Sequence, residues 1–427
     1  MNRRFYLLLF IIMASLILLG ACTYSKSMGT VTEAVYDGET AGQNETVPAP
    51  DIEVNITAVG DIMVHGPQLR AQYNEQLKEY DFLNNFQFVK PYIEKADISI
   101  CNLETTLAGS EKKYSSYPRF NSPDALVKAL KESGFDVVAT ANNHCIDTGA
   151  VGLFRTIQVI KENELESIGT KSTQEEISYA IKDVNGIKIA FTAYTYETKP
   201  YGKYKTINAL KVPKEVEDFI DTFSYDRLQD DLNRMGDRIL EMKNQGAEFI
   251  VFYLHWGNEY QQQPNNYQRQ IAQFLSDQGV DIVLGSHPHV LQPIEFIQSA
   301  DKEKETLVVY SLGNFLSNQR FEILKNRFTE DGLLININIK KNTMDNRITI
   351  QAVQYLPTWV HRFPAGGKMV YEIVPLNDAL MDLNGHHLST NDSIWRAQNA
   401  NHNTLEIIES QPDPRLVVYP SIHIDKY

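Results

Sequence analysis

Short apolar runs alternate with amphipathic stretches along most of the chain. The runs have the length and composition of strands, and the amphipathic stretches carry apolar residues at helical spacing. Strands are predicted at 52–59, 97–103, 135–141, 187–194, 248–254, 281–284 and 306–310, and helices at 67–79, 85–95, 122–133, 152–163, 226–244 and 267–278. Alternation of strands and helices in this order is typical of an α/β fold.

The pattern also sets the predicted domain boundaries. Residues 196–221 form a long insertion without periodicity, and 332–340 and 347–355 are predicted to be an antiparallel pair. After Phe363 the pattern weakens, and only 369–374 has the composition of a strand. We therefore predict one α/β domain at 51–363 and a C-terminal appendage at 364–427.

The N-terminus has the pattern of a bacterial export signal. Two arginines precede the apolar run 5–19, which is short for a membrane span. The run ends in Leu19-Gly20-Ala21-Cys22, which resembles a lipobox, in which the cysteine is lipidated and becomes the mature N-terminus. The alternative is an uncleaved signal anchor with an incidental Cys22. Both place the rest of the chain outside the cytoplasm, with the Ser/Thr/Gly/Glu/Pro-rich segment 23–50 as a flexible linker.

The formal net charge of −14 restricts the partners that the protein can bind. A nucleic-acid-binding protein needs a basic face to neutralise phosphates, and broad adhesion to anionic lipid needs one as well. We therefore expect no nucleic-acid partner. An anionic substrate would have to be held by a local device such as a metal site.

Residues that can bind a metal follow five of the predicted strands. They are Asp61, Glu104, Asn143, His144, His255, His287 and His289. The carboxyl ends of parallel strands line the crevice where ligands bind in open α/β sheets. Oxygen and imidazole ligands without thiolate suit Mn, Fe or Zn, as one ion or two. Asp147 comes three residues after His144, near enough to orient it as a candidate general acid.

Each of these residues also has a structural interpretation. Asp61 is placed where a helix cap or turn residue is common, and Glu104 where an ion-pair partner is common. His144 fits a structural histidine with satisfied ring nitrogens. The pair His287 and His289 fits a polar loop that meets only backbone and water. The recurrence of one pattern at five strand ends favours a common site.

The sequence around these positions resembles the CapA family of bacterial poly-γ-glutamate capsule synthesis proteins, whose fold is similar to that of calcineurin-like metallophosphoesterases. The matching motifs are Gly60-Asp61, Asn102-Leu103-Glu104, Ala141-Asn142-Asn143-His144, His255-Trp256-Gly257-Asn258-Glu259-Tyr260, His287-Pro288-His289 and Tyr310-Ser311-Leu312-Gly313-Asn314-Phe315. The resemblance implies a four-layer αββα sandwich with a site at the sheet edge. It implies metal ligands at Asp61, Glu104, Asn143, His255, His287 and His289 and a general acid at His144. We also predict a catalytic role for Asp147, and substrate contacts from Asn102, Asn142 and Asn314.

The chain departs from the metallophosphoesterase pattern in its first three motifs. Met63 stands where Asp-x-His would place a histidine, and His65 comes two residues later. Glu104 replaces the bridging Asp, and Gly-Asn-His is replaced by Asn-Asn-His. One metal position is therefore short of a ligand, and phosphatase activity does not follow from the resemblance.

Three functions fit the sequence. The first is a lipoprotein, anchored to the outer face of the cell membrane through Cys22, that works with the capsule polymer and its membrane synthesis machinery in making, exporting or attaching poly-γ-glutamate. The second is a secreted metal-dependent hydrolase of phosphoesters or amides in the envelope. The third is a non-catalytic binding scaffold. The family resemblance and the anchor favour the first.

Overall fold

The structure, a computed structural model, describes residues 50–422, and most of its strands belong to two mixed sheets. The strands are β1 (Ile52–Ile62), β2 (Tyr73–Asn74), β3 (Glu79–Tyr80), β4 (Ile98–Leu103), β5 (Val137–Ala139), β6 (Glu166–Ile168), β7 (Tyr179–Val184), β8 (Ile187–Tyr196), β9 (Thr198–Tyr201), β10 (Tyr204–Ile207), β11 (Leu210–Lys211), β12 (Thr222–Phe223), β13 (Phe249–His255), β14 (Ile282–Ser286), β15 (Leu291–Gln298), β16 (Glu305–Leu312), β17 (Asn314–Leu316), β18 (Asp331–Lys341), β19 (Ile348–Ala365), β20 (Lys368–Pro375) and β21 (Leu416–Val418).

The helices lie between these strands and beside the sheets. They are α1 (Gly66–Gln72), α2 (Leu83–Phe86), α3 (Lys90–Ile93), α4 (Ala125–Glu132), α5 (Gly149–Glu162), α6 (Leu228–Asn244), α7 (Asn266–Asp277), α8 (Phe321–Leu324), α9 (Leu376–Ala379) and α10 (Asn391–Glu409). Among residues 50–422, none of these is both long enough and apolar enough to cross a membrane.

The first sheet has the order β20-β19-β18-β1-β4-β5-β6, with β17 paired to β1 and β21 to β19. The second has the order β12-β8-β13-β14-β16-β15, with β7 paired to β8. In both sheets the central strands that precede helices run parallel, as β1, β4 and β5 do in the first and β8, β13 and β14 in the second. Their carboxyl ends therefore meet at one rim of each sheet.

Three apolar cores define four layers. The inner faces of both sheets share one core, while α1 to α5 cover the outer face of the first sheet and α6 and α7 that of the second. Strand β13 shows why the pattern works: Phe249, Val251 and Tyr253 face the other sheet, while Ile250 and Phe252 face the helices. A strand buried on both faces is a continuous apolar run. The predicted αββα sandwich is confirmed.

The predicted helix 67–79 is wrong in its second half. Helix α1 ends at Gln72, and the chain turns back as the hairpin β2–β3. The Asn74 side chain accepts hydrogen bonds from the backbone of Gln76 and Leu77, and the rings of Tyr73 and Tyr80 lie 5.0 Å apart. An asparagine that bonds the backbone this way competes with the helix.

Four further features differ from the prediction. The insertion 196–221, predicted to be irregular, contains the small sheet β9–β11. Strands β7 and β15 were not predicted, and both are antiparallel neighbours at the edge of the second sheet. The predicted boundary at residue 363 falls inside β19, and β20 pairs with β19 along eight residues, so 364–422 belongs to the same unit as the rest of the described chain.

The remaining predicted domains lie outside the described residues. The signal segment 1–22, including Cys22, and almost all of the linker 23–50 are in this group. Their export and lipidation stay predictions.

Candidate metal centre

Six predicted ligands, which we call the strand-end cluster, lie where strands of the two sheets end at one rim. They are Asp61, Glu104, Asn143, His255, His287 and His289. Asp61 lies near the end of β1 and His255 ends β13, while the other four follow β4, β5 and β14. Each of the six is at most 3% exposed. The structure therefore brings together, in a buried position, side chains that are far apart in sequence.

Glycine at position 60 is required by the close approach of two chain segments beside Asp61. A Cβ atom there would lie 2.0 Å from the carbonyl oxygen of Gly313, far inside van der Waals contact. The Asp61 amide donates to that same oxygen at 3.0 Å, and Asp61 pairs with Asn314 of β17. Because β17 directly continues β16 of the second sheet, this contact joins the two sheets at the rim.

Asp61, Glu104 and His289 form one group of ligands. His289 Nδ1 lies 3.1 Å from Asp61 Oδ2, and His289 Nε2 lies 3.7 Å from Glu104 Oε1. One ligand atom from each of the three lies within 4.8 Å of the others. Ligands at 2.0–2.2 Å from one ion are separated by roughly 3 to 4.4 Å. The spacing therefore fits one cation with small adjustments.

His255 and Asn143 lie on the other side of Glu104. His255 Nε2 is 3.6 Å from Glu104 Oε1 and 3.1 Å from Asn143 Oδ1. Its Nδ1 lies 2.9 Å from Ser286 Oγ, which orients the ring. Glu104 Oε1 is thus within 4 Å of two imidazoles, as expected of a carboxylate that ligates a cation between them.

The unpaired atoms of the cluster test whether it suits a cation. Both carboxylate oxygens of Glu104 and Nδ1 of His287 are buried and have no hydrogen-bond partner in the described chain. An unpaired buried polar atom is costly, and an unpaired buried charge more so. Burial, followed by the neighbouring Asp61 carboxylate, raises the pKa of Glu104 well above its ordinary value. A divalent cation bound by Glu104, and one bound by His287, would satisfy these atoms, so the residues fit one ion or two.

The histidines of the cluster are set up as neutral ligands. Burial lowers the pKa of His255 and of His287 well below the ordinary value, and the neighbouring histidines lower it further. Metal binding needs the neutral imidazole with its free lone pair. The environment therefore removes the competing proton from two of the ligands.

The backbone holds the paired histidines in an unusual conformation. His287 has a φ of +95° and His289 a φ of +56°, in the left-handed region that favours glycine. The Tyr260 amide donates to the Pro288 carbonyl at 2.7 Å, and the His287 amide to Asp61 Oδ2 at 3.2 Å. Strain of this kind persists where surrounding contacts fix it, and it is concentrated at functional sites.

The predicted pair of His144 and Asp147 is formed beside the cluster. His144 Nδ1 lies 2.7 Å from Asp147 Oδ2, and the same oxygen accepts the Phe120 amide at 2.6 Å. The Phe120 ring packs edge-on against His144 at 4.7 Å. These contacts fix the imidazole, and Nε2 is the ring nitrogen that remains for a proton transfer.

The three asparagines predicted to contact a substrate are buried and bonded to protein. Asn102 donates to Asp61 Oδ1 at 2.7 Å, and Asn142 donates to Asn102 Oδ1 at 3.1 Å. Asn314 donates to the Thr329 carbonyl at 2.9 Å, and its Oδ1 lies 3.1 Å from His289 Nδ1. These bonds position Asp61 and His289. The contact of these asparagines with a substrate stays a prediction.

The two residues of the divergent first motif do not belong to a described ligand group. Met63 is 1% exposed, and its amide donates to the Leu316 carbonyl at 2.8 Å. The His65 ring accepts the Asn318 amide through Nδ1 at 3.2 Å. Burial, with His289 as the next cause, lowers the pKa of His65 to about 4. His65 is therefore a neutral neighbour of the cluster.

Sequence reasoning missed two residues at this site. A ligand atom of Glu259 lies within 4.8 Å of those of His287 and His289, and the Tyr196 ring lies 4.7 Å from that of His287. Glu259 is in the matched motif that begins at His255, so a carboxylate in that motif was the available signal. Nothing in the local sequence distinguishes Tyr196 from other strand-end tyrosines.

Comparison with known proteins gives a family for this arrangement. The family model "Bacterial capsule synthesis protein PGA_cap" matches residues 55–319. The PGA biosynthesis protein CapA of Bacillus subtilis (strain 168) is 31% identical over 313 residues, which cover 71% of this chain and 73% of that protein. The capsule biosynthesis protein CapA of Bacillus anthracis is 30% identical over 297 residues, 68% of this chain and 65% of that protein, slightly under two thirds of its length.

A solved structure described as a novel phosphatase from Mycoplasma pneumoniae is similar with a TM-score of 0.41 and 12% identity, over 72% of this chain and 94% of that one. The family model, by contrast, covers more than half of the 427 residues and contains every member of the strand-end cluster. The chain therefore belongs to the bacterial capsule synthesis protein family PGA_cap.

Proposed function

We propose that this protein is a lipoprotein, anchored to the extracytoplasmic face of the cell membrane, that takes part in the synthesis, export or anchoring of an anionic capsule polymer of the poly-γ-glutamate type. The observation that carries the proposal is the family match at residues 55–319, which contains the whole strand-end cluster. Two relatives at about 30% identity are named for capsule or PGA biosynthesis. The lipobox pattern ending at Cys22 supports attachment to the cell membrane.

The proposed centre holds one or two divalent ions, Mn, Fe or Zn. Glu104 lies between His255 and His289 with both oxygens unpaired, and Asp61 and Asn143 supply further oxygen atoms. A bound divalent ion would polarise a carbonyl or phosphoryl oxygen and attract the carboxylates of an anionic polymer. This local charge offsets the disadvantage of a net charge of −14 for binding a polyanion.

A basic and aromatic surface next to the centre supports contact with a polyanion. Residues 198–214 contain five lysines and no acidic residue. Lys211 Nζ lies 4.6 Å from the ring centre of Tyr201 and 4.7 Å from that of Tyr204, and Tyr201 is 68% exposed. The small sheet that carries them begins two residues after Tyr196, whose ring contacts His287. A polymer lying on this sheet would reach the centre.

Deletion and complementation test the proposal. In a strain that makes the polymer, deleting the gene should abolish or strongly reduce surface γ-glutamate, and the wild-type gene should restore it. Glu104→Gln should fail to restore it, because the buried carboxylate is the centre of the ligand cluster. Glu303→Gln, an exposed carboxylate far along the chain, is the matched control and should complement. Unchanged polymer in the deletion strain would contradict the proposal.

One observation favours a second candidate, a metal-dependent hydrolase of envelope phosphoesters or amides. The 2.7 Å contact between His144 and Asp147 is the geometry of an oriented general acid. Purified mature protein with Mn²⁺ or Zn²⁺ should then cleave model phosphodiesters or γ-glutamyl peptides. His144→Ala should lower turnover by roughly 10²–10⁴-fold. Turnover unchanged by this substitution would exclude His144 as the acid.

A further inference from the structure

We infer that Glu259 is a ligand of the metal centre, whose first motif supplies one ligand fewer because Met63 stands in place of a histidine. The inference rests on the proposed metal centre and adds one ligand to it. Its basis is one juxtaposition: Glu259 shares a group of ligand atoms with His287 and His289, all within 4.8 Å of one another.

An unpaired nitrogen of His287, a member of the same group as Glu259, points to a cation. His287 is 3% exposed, and its Nδ1 has no hydrogen-bond partner among the described residues. His289 belongs both to the group with Glu259 and to the group with Asp61 and Glu104. His289 is therefore shared by the two groups, and Glu259 adds a third carboxylate to them.

The backbone of the Glu259 loop is fixed beside the paired histidines. Pro288 is the residue between His287 and His289, and its carbonyl accepts a hydrogen bond from the Tyr260 amide at 2.7 Å. Gly257 has a φ of +86°, and a Cβ atom there would lie 2.7 Å from Gln268 Oε1. The Trp256 indole donates to the Tyr310 carbonyl at 2.9 Å. These contacts fix the backbone on both sides of the exposed Glu259 next to the paired histidines, and the Tyr260 hydroxyl is a hydrogen-bond partner of the Glu259 carboxylate.

The charges at this rim also favour the binding of a cation. Asp61, Glu104 and Glu259 bring three carboxylates to one place, and no lysine or arginine between residues 50 and 422 forms an ion pair with any of them. Asp61 and Glu104 are buried, where like charges at short distance repel strongly, and the exposed Glu259 adds a third negative charge. A divalent ion held partly by Glu259 balances this charge. A third carboxylate also adds an oxygen ligand to a mixed oxygen and imidazole set, which suits Mn.

Metal titration of the mature protein tests the inference. Apo-protein prepared with a chelator is titrated with Mn²⁺, and free Mn²⁺ is followed by electron paramagnetic resonance. We expect Glu259→Gln to weaken the binding of at least one Mn²⁺ per chain by about tenfold or more. Glu303→Gln should bind Mn²⁺ as the wild type does. Glu259→His, which keeps a metal-binding side chain at this position, should retain most of the wild-type affinity.

The outcomes separate this inference from the proposed metal centre. If the wild type binds Mn²⁺ and Glu259→Gln binds it with unchanged number and affinity, Glu259 is not a ligand and the inference is wrong, while the centre stands. If Glu104→Gln and Glu259→Gln both weaken binding, the inference is supported. A wild type that binds no Mn²⁺, Fe²⁺ or Zn²⁺ would overturn both. Circular dichroism of each variant confirms that the fold is retained.

Discussion

At the scale of single residues, Glu104 is the most informative side chain of the protein. It is fully buried, its oxygens are unpaired, and it lies within 4 Å of His255 and His289. Its pKa is raised while the pKa values of His255 and His287 are lowered, each mainly because of burial. Without a cation, the site therefore favours a protonated carboxyl group beside neutral imidazoles.

This environment predicts the pH dependence of metal binding. As pH falls, Glu104 takes up a proton that the ion must displace, whereas His255 and His287 stay neutral and offer no competing proton. Affinity should fall with falling pH, with about one proton released per ion bound by Glu104. Calorimetry of Mn²⁺ binding in buffers of different ionisation enthalpy measures the proton number. Release of two or three protons per ion would show that the histidines are charged in the apo-protein.

A second residue-scale prediction concerns His361, outside the centre. Its ring lies between those of Trp359 and Phe363, and burial lowers its pKa from 6.5 to about 4. The unfolded chain therefore binds more protons between these values. The stability from a neutral His361 is complete above pH 6.5 and is lost as pH falls towards 4, by roughly 3 kcal/mol.

The test is the free energy of unfolding of His361→Phe measured at several pH values. This variant should lose stability less steeply than the wild type between pH 6.5 and 4. The exposed His402→Asn serves as the control and should follow the wild type. Parallel curves for His361→Phe and wild type would contradict the prediction.

At the scale of elements, the junction of β1 and β17 joins the two sheets at the rim. Gly60→Ala would place a Cβ atom 2.0 Å from the Gly313 carbonyl oxygen, so the backbone must move. We expect a loss of about 3 kcal/mol or more in unfolding free energy, together with weaker metal binding at the adjacent Asp61. Chemical denaturation and Mn²⁺ titration measure both effects.

Gly236 is the matched control for this substitution. It lies in α6, and a Cβ atom there would meet its nearest neighbour at 3.7 Å, an ordinary contact. Gly236→Ala should be neutral or stabilise by up to about 1 kcal/mol, because alanine favours the helix. Equal stability of Gly60→Ala and Gly236→Ala would remove the proposed role of the junction.

Elements with a strong local pattern were predictable from sequence, and those fixed by distant contacts were not. Strand β13 is a continuous apolar run because both of its faces are buried, and His255 is its last residue. The hairpin β2–β3 depends on the side-chain bonds of Asn74, and β15 contains Pro293 at an edge of its sheet. Glu259 was missed because its position depends on the contact of its loop with Pro288.

At the scale of the whole molecule, the C-terminal region is part of the sandwich. Strand β20 extends the first sheet, and Val374, Leu376, Leu388 and Ala397 form an apolar core with Trp359 of β19. Sequence analysis separated this region because the amphipathic helix α10 has a weak apolar face and many polar residues. Its burial depends on β19, which lies before the predicted boundary.

Truncation after residue 363 should therefore prevent stable folding. It would expose Trp359 and the face of β19 that β20 and α10 cover. The truncated chain should aggregate or show no cooperative thermal transition, while the chain that ends at 422 should unfold cooperatively. A soluble truncated protein with the melting temperature of the full chain would support a separate appendage after all.

The central claim is that strand ends from both sheets form one metal centre. Anomalous diffraction from crystals of the protein grown with Mn²⁺ tests it most directly. We predict an anomalous difference peak about 2.0–2.3 Å from Glu104 and from at least one of His255 and His289. The contradicting result is the absence of such a peak at the strand-end cluster at saturating Mn²⁺. Glu104 would then be bonded only to protein or water.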